Sequence, residues 1–347
     1  MLDEKYLNSL PQVKGMAKDE MIKLLLTEEY GFLPPAPISV TASIESSEEN
    51  FCAGKAWLKK INLTCLTKEG EFTFPVYYTC PKKQEKLLPC FIHINFRDLV
   101  PDRYMPSEEL VDAGYAVLSF CYKDVSSDDG DFTNGLAGHI YPGGKREKNQ
   151  CGKIGLWSWA ASRVLDYAMT LPELDHSRIC VAGHSRLGKT ALLTGALDER
   201  FYCAFSNDSG CCGAALSRGK QGESIRKIYD VFPYWFCENY QKYQDHEEQL
   251  PFDQHFLIAA NVPHRVYVAS AANDLWADPE KEYLSCVAAS SYYEEKGLTG
   301  FVHPDRLPEV GESFGEGYIG YHVRAGEHYF SREDWQRYIA YLEQQER

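Results

Sequence analysis

The chain has 347 residues, 44% of them hydrophobic, with 36 basic against 50 acidic side chains and a formal net charge of −14. This is enough apolar material for a large core in one or two domains. The acidic balance argues against nucleic acid or an anionic membrane surface as partner, because both attract positive patches; it reads most simply as solubility. Twelve cysteines are scattered through the chain, several in apolar runs (Cys90, Cys121, Cys180, Cys203), and none forms a C-x-x-C pair, so buried free thiols in a reducing compartment are expected rather than disulfides, a zinc site or a redox motif.

The N-terminal Met1-Leu-Asp-Glu-Lys-Tyr6 is charged, with no apolar leader segment, and no stretch is long and apolar enough to span a membrane; a cytoplasmic location is expected. Residues 1–30 carry helical spacing (Met16, Ile22, Leu24, Leu25, Leu26), ended by Pro34-Pro35. From 38 to 80 the pattern alternates, and Ala56–Thr64 and Glu71–Thr79 read as antiparallel strands joined at Lys68-Glu-Gly70. Strands and helices then take turns. Pro89–Phe96 and Tyr115–Phe120 read as strands around a short helix at Ser107–Ala113. Residues 123–150 form a long polar loop, a length that in a compact domain usually has a function. Ile154–Leu171 is a helix with Trp157, Ala160, Val164, Tyr167 and Leu171 on one face.

Ile179–Ala182 is a strand, and Phe201–Ser206 another, ending at Asn207-Asp-Ser-Gly210. Residues 211–262 read as an irregular helical, aromatic-rich insertion. Arg265–Ser270 is a strand leading into Asn273-Asp-Leu-Trp-Ala-Asp278, followed by a helix over Lys281–Lys296. Tyr318–Val323 is the last strand, His328 lies in the loop beyond it, and Ser331-x-x-Asp334 opens a final helix with apolar Trp335, Tyr338, Ile339 and Leu342. The alternation predicts a single α/β domain over 1–347, with a mostly parallel sheet covered by helices on both faces. Within it, 1–85 would supply a helix and an antiparallel start, and 86–347 the functional core.

One stretch admits two chemistries. Gly183-His-Ser-Arg-Leu-Gly-Lys-Thr190 follows a strand and runs into a helix expected from Thr190. It satisfies the phosphate-loop pattern G-x-x-x-x-G-K-[ST], and it also fits a nucleophile elbow with Ser185 at the apex. A phosphate loop belongs after an early strand, with an acidic strand end for Mg²⁺; this stretch comes after several strands. A serine hydrolase of the α/β-hydrolase fold needs Ser, acid and His in that order. Ser185, then Asp208 or Asp274, then His328 supply it, so the elbow is preferred.

The elbow stretch resembles the G-C-S-R-x-G-K motif of the glucuronoyl esterases, carbohydrate esterase family 15. Ile154-Gly-Leu-Trp-Ser-Trp-Ala160 is similar to that family's Trp-rich helix, Asp208-Ser-Gly-Cys-Cys-Gly-Ala-Ala215 to its E-S-G-S-G-G-A-A segment, and Leu250-Pro-Phe-Asp-Gln-His255 to its L-P-F-D-x-H. The resemblance implies a serine esterase of the α/β-hydrolase fold, acting on a carbohydrate ester through an acyl-enzyme, with no metal or cofactor.

Ser185 is then the expected nucleophile and His328 the expected base, because a base must come from a loop at the strand ends. His322 lies within a strand, His93 reads as a satisfied core histidine, and His184 is the variable position of the motif. The acid stays open. The resemblance points to Asp208, fold logic to Asp274, and Asp278 is a third candidate; capping or loop bracing must account for at least one of them. The Arg186 N–H is an expected oxyanion donor, and the resemblance adds its side chain. By the same resemblance Lys189 and Trp276 would contact the sugar, with Glu223 or Arg226 standing in where residues 222–238 depart from the family. Two other readings are a nucleotide-binding protein built on the phosphate loop, and a catalytically silent carbohydrate-binding relative.

Overall fold

A computed structural model of the chain describes residues 1–83 and 85–345. Ten strands form one sheet in the order β1-β2-β3-β5-β4-β6-β7-β8-β10-β9. The first three, β1 (Ser39–Phe51), β2 (Ala56–Thr67) and β3 (Gly70–Pro81), are an antiparallel meander. β1 is an outer edge strand, almost wholly exposed and bulged twice, and its polar sequence (Ser46-Ser-Glu-Glu-Asn50) discourages further edge pairing.

The centre of the sheet is parallel: β4 (Leu88–Asn95), β5 (Ala116–Cys121), β6 (Leu174–His184), β7 (Cys203–Asn207), β8 (Arg265–Ala271) and β10 (Ile319–Arg324). β4 and β5 are buried along their whole length, as strands covered on both faces must be. The two-residue β9 (Ser313–Phe314), not anticipated from the sequence, pairs antiparallel with β10.

Helices cover both faces. The N-terminal segment expected to be helical is divided into α1 (Glu4–Ser9) and α2 (Lys18–Leu25), the latter continuing as one π-helical turn. α3 (Ser107–Asp112) precedes β5. The segment read as a loop over 123–150 is less irregular than expected, with short helices α4 (Tyr122–Val125) and α5 (Gly135–Ile140). α6 (Lys153–Ala168) packs against α7 (Arg186–Leu197), with Trp157, Ala160 and Val164 fully buried. The insertion at 211–262 holds α8 (Ile225–Val231), α9 (His255–Ala259) and several 3₁₀ turns. α10 (Pro279–Glu295) follows β8, and α11 (Arg332–Gln344) closes the chain. The expected capping box opens α11: Ser331 Oγ accepts from the Asp334 N–H, and Asp334 accepts from the Ser331 N–H.

In the parallel region the chain runs from β4 to β5 on one side and then crosses to β6 on the other. A crevice forms where strand order reverses, at the carboxyl ends of the strands. Ser185, directly after β6, stands at that reversal.

Candidate active site

β6 ends at His184 and α7 begins at Arg186, so Ser185 alone makes the turn, and the helix starts four residues earlier than the expected Thr190. Ser185 has φ 58° and ψ −126°, outside the regions non-glycine residues favour, and strain of this kind gathers at functional sites. It is held by Ser185 N–H to Asn207 O (2.8 Å) and by the Gly188 N–H donating to Ser185 O (2.9 Å). Gly183 is required by close approach, because a Cβ there would lie 2.1 Å from Leu187 O.

This geometry overturns the phosphate-loop alternative. A phosphate cradle needs several loop residues whose N–H groups surround the anion; here one residue separates strand from helix. Lys189 Nζ donates instead to Ser209 O, and Thr190 Oγ1 to Arg186 O at 2.9 Å.

Ser185 opens onto a cleft of about 320 Å³ that it shares with Arg186, Lys189, Asp208, Glu223, Asp274, Trp276 and His328. Eight of the ten candidate residues therefore meet in one place; Asp278 and Arg226 are not among the lining residues. A larger depression of about 400 Å³ lies at the opposite, amino-terminal ends of the strands, around Leu88, Tyr115 and Arg178; none of its described lining residues is a serine, cysteine or histidine.

The three candidate acids separate by their partners. Asp274, in the loop after β8, accepts from His328 Nδ1 at 2.6 Å. Burial opposes its charge, but the hydrogen bond and charge of His328 outweigh this and hold its pKa below the ordinary carboxylate value. Asp208, after β7, is buried and accepts from Arg324 Nη2 at 3.2 Å. Asp278 is the N-cap of α10, accepting from the Lys281 N–H (3.2 Å) and from the Gln221 N–H (2.8 Å). It is the candidate that capping accounts for.

His328 has a side chain 44% exposed, and its ring centroid lies 4.5 Å from that of His184. His184 is buried and bonded to Asn207 Oδ1 at 2.6 Å; burial and the neighbouring His328 lower its pKa to about 3, so it stays neutral. His93 is the expected core histidine, bonded to Ser119 Oγ at 3.2 Å. His322 is buried between Asp334 and Tyr267, away from the cleft. An imidazole whose Nδ1–H is held by a carboxylate presents Nε2 as a proton acceptor, the arrangement that activates a serine hydroxyl. Among the described residues, Asp208, Asp274 and His328 are also the one group whose donor atoms (all within 4.8 Å of one another) could hold a metal ion.

Arg186 is the first residue of α7, and an N–H at that position has no intrahelical acceptor. Its guanidinium pairs with Asp128 and stacks over Trp235, 4.7 Å from the ring centroid. Asp128 also accepts from Tyr122 OH (2.9 Å) and Trp235 Nε1 (2.8 Å). Sequence reading missed Asp128; the only signal was the length of the 123–150 loop that carries it. It also missed the cleft wall made by Phe232 and Trp235, whose rings stack 3.9 Å apart. Lys189 is buried, while Trp276 is 54% exposed at the rim with Lys227 Nζ 5.0 Å from its ring. The Glu223 N–H donates to Trp276 O at 3.1 Å. Arg226 pairs with exposed Asp245 and is not among the residues lining the cleft.

Comparison with known proteins points the same way. The family profile described as glucuronyl esterase, fungi, matches residues 63–297. The chain is 31% identical to the carbohydrate esterase MZ0003 of an unknown prokaryotic organism, over 99% of this chain and 87% of that one. It is 26% identical to a 4-O-methyl-glucuronoyl methylesterase of Podospora anserina, over 80% of this chain but 55% of the fungal protein. Among solved structures, a glucuronoyl esterase of Solibacter usitatus superposes with a TM-score of 0.88 at 28% identity, covering 97% of each chain. A promiscuous esterase of the same carbohydrate esterase family, from a marine bacterial metagenome, superposes with a TM-score of 0.85 at 30% identity, over 97% of this chain and 96% of that one.

Proposed function

The chain belongs to carbohydrate esterase family 15, the glucuronoyl esterases of the α/β-hydrolase fold, and from that premise we propose that Ser185, His328 and Asp274 carry out its ester hydrolysis. The observation that supports this most directly is the 2.6 Å bond between His328 Nδ1 and Asp274, in the cleft that Ser185 enters from its strained turn. Ser185 Oγ attacks the ester carbonyl as His328 Nε2 takes its proton. The Arg186 N–H and guanidinium stabilise the tetrahedral oxyanion. His328 then protonates the departing alcohol, leaving an acyl-enzyme. Water attacks that ester, giving its proton to His328, and the carboxylic acid leaves as Ser185 recovers its proton.

The substrate we infer is a glucuronoyl ester, with the uronate as the acyl part. Lys189 and Arg186 put positive charge on one wall of the cleft, Glu223 offers an acceptor to sugar hydroxyls, and Trp276 offers a face on which a sugar ring can pack. The names borne by the curated relatives support the same class. An acetylated oligosaccharide is the second reading, supported by the promiscuity ascribed to the marine metagenome esterase that this chain resembles. Eleven of the twelve cysteines are buried in a packed interior, which supports a reducing compartment such as the cytoplasm, where an imported oligosaccharide would be the substrate.

The test is a hydrolysis panel of methyl glucuronate, acetyl and feruloyl esters. Wild type is expected to prefer methyl glucuronate, and Ser185→Ala to lose ~10⁴-fold or more in kcat with an unchanged melting temperature. Absence of turnover on every ester would leave the silent carbohydrate-binding reading.

A further inference from the structure

His328 sits in a loop that burial does not hold: Glu327, His328 and Tyr329 are all exposed. Its anchors are polar, and most converge on one side chain. Arg324, the last residue of β10, is buried with its guanidinium beneath the loop. Nη1 donates to Ala325 O (3.1 Å) and Glu327 O (3.3 Å), and Nη2 donates to Tyr329 O. The carbonyls on either side of His328 are thus tied to the same planar group. Gly326, at φ +101°, lets the chain curl over it; a Cβ there would lie 3.4 Å from Nη1.

The guanidinium is itself fixed. Nε donates to both oxygens of Asp334 at 3.0 Å, and Asp334 is held by the Ser331 N–H (2.7 Å), Ser331 Oγ (2.8 Å) and His322 Nε2 (2.9 Å). Nη2 donates to Asp208 Oδ2, whose other oxygen is buried without a hydrogen-bond partner.

We propose that Arg324 is the positioning residue for His328, holding the imidazole in register with Asp274 and Ser185, and that Asp208 serves as a hydrogen-bond acceptor bracing Arg324 rather than as the acid of the relay. This rests on His328 being the base. Arginine suits the task where lysine would not: its fork offers five donors in a fixed plane, enough to hold three loop carbonyls and two carboxyl groups together. Displacement of a reacting group by about 1 Å is worth ~10²-fold in rate. A loosened loop therefore acts on kcat and leaves sugar binding alone.

The test compares Arg324→Lys, Asp208→Asn and His328→Ala with wild type on methyl glucuronate, following kcat, KM, melting temperature and the downfield NMR resonance of the His328 Nδ1 proton. Arg324→Lys keeps a cation beside Asp208 and Asp334 but loses the fork. Its kcat is expected to fall ~10²-fold with KM within about twofold and the downfield resonance lost or broadened. Asp208→Asn keeps the carbonyl clamp, so the resonance should persist and kcat fall by less than about tenfold. An Arg324→Lys enzyme that melts lower yet keeps wild-type kcat and the resonance would overturn the proposal, reducing Arg324 to a structural brace. If Arg324→Lys does not fold, Asp208→Asn decides: loss of both kcat and the resonance would mean that Asp208 holds His328. A fully active His328→Ala would instead refute the underlying hydrolytic assignment.

Discussion

The turn that carries Ser185 and the loop that carries His328 line the same cleft but are built in opposite ways. The turn is closed by backbone hydrogen bonds to β7, by Gly183, which admits no side chain, and by the buried helix behind it. The loop is exposed, and is pinned by Arg324 from below and Asp274 from the side. The position of Ser185 is thus a property of packing and that of His328 a property of a few polar contacts. Substitutions in the two regions should fail differently: by unfolding in the first, by loss of rate without unfolding in the second.

The largest effect tests that contrast at the turn. Gly183→Ala would drive a Cβ against backbone that cannot move independently of the turn, and should cost about 3 kcal/mol or more, enough to lower the melting temperature sharply or remove folded protein. Glu327→Ala, an exposed change in the His328 loop, should leave stability within about 0.5 kcal/mol. Comparable melting temperatures for the two variants would break the comparison.

Next comes the wall that orients Arg186. Asp128→Asn removes the counter-charge of its guanidinium but keeps the side-chain shape. The expected loss is ~10²-fold in kcat, the order seen when an oxyanion donor is misplaced, with little change in KM. A change confined to KM would place Arg186 in ground-state binding instead.

The smallest effect concerns two buried carboxyls that take no part in the relay. Burial pushes Glu29 up to about 8, against hydrogen bonds from Gln254, and pushes Glu282 up to about 7, against hydrogen bonds from Ser270 and the Gly210 N–H. Both native values lie above the unfolded one, so the folded state keeps protons that the unfolded chain has already released. Their contribution to stability is therefore full below the ordinary glutamate range and is lost as pH rises through about 7 to 8. Glu29→Gln, which imitates the protonated form, should flatten the decline in melting temperature between the ordinary glutamate range and about pH 8. An unchanged slope would mean that Glu29 is ionised in the folded protein.

The same contrast governs what could be read in the sequence. The turn is contiguous, so glycines, serine and strand could be recognised together, and His328 followed from its place after the last strand. The acid could not be ranked, because Asp208, Asp274 and Asp278 all follow strand β7 or β8 and differ only in what they meet across the fold: Arg324, His328 and the start of α10. Asp128 and Arg324 were invisible for the same reason, since each acts on residues brought near by the sheet rather than by the chain. α7 starts at Arg186 rather than Thr190, because the glycines, whose spacing suggests a longer loop, do not form one. They serve close packing instead.

The most direct test of the account is the kcat of Asp274→Asn set beside that of Asp208→Asn on one methyl glucuronate substrate. Replacing the carboxylate that holds the base's tautomer should cost ~10³- to 10⁴-fold in Asp274→Asn. The account predicts that loss there, with Asp208→Asn retaining kcat within about tenfold of wild type. A large loss in Asp208→Asn beside a nearly active Asp274→Asn would contradict it.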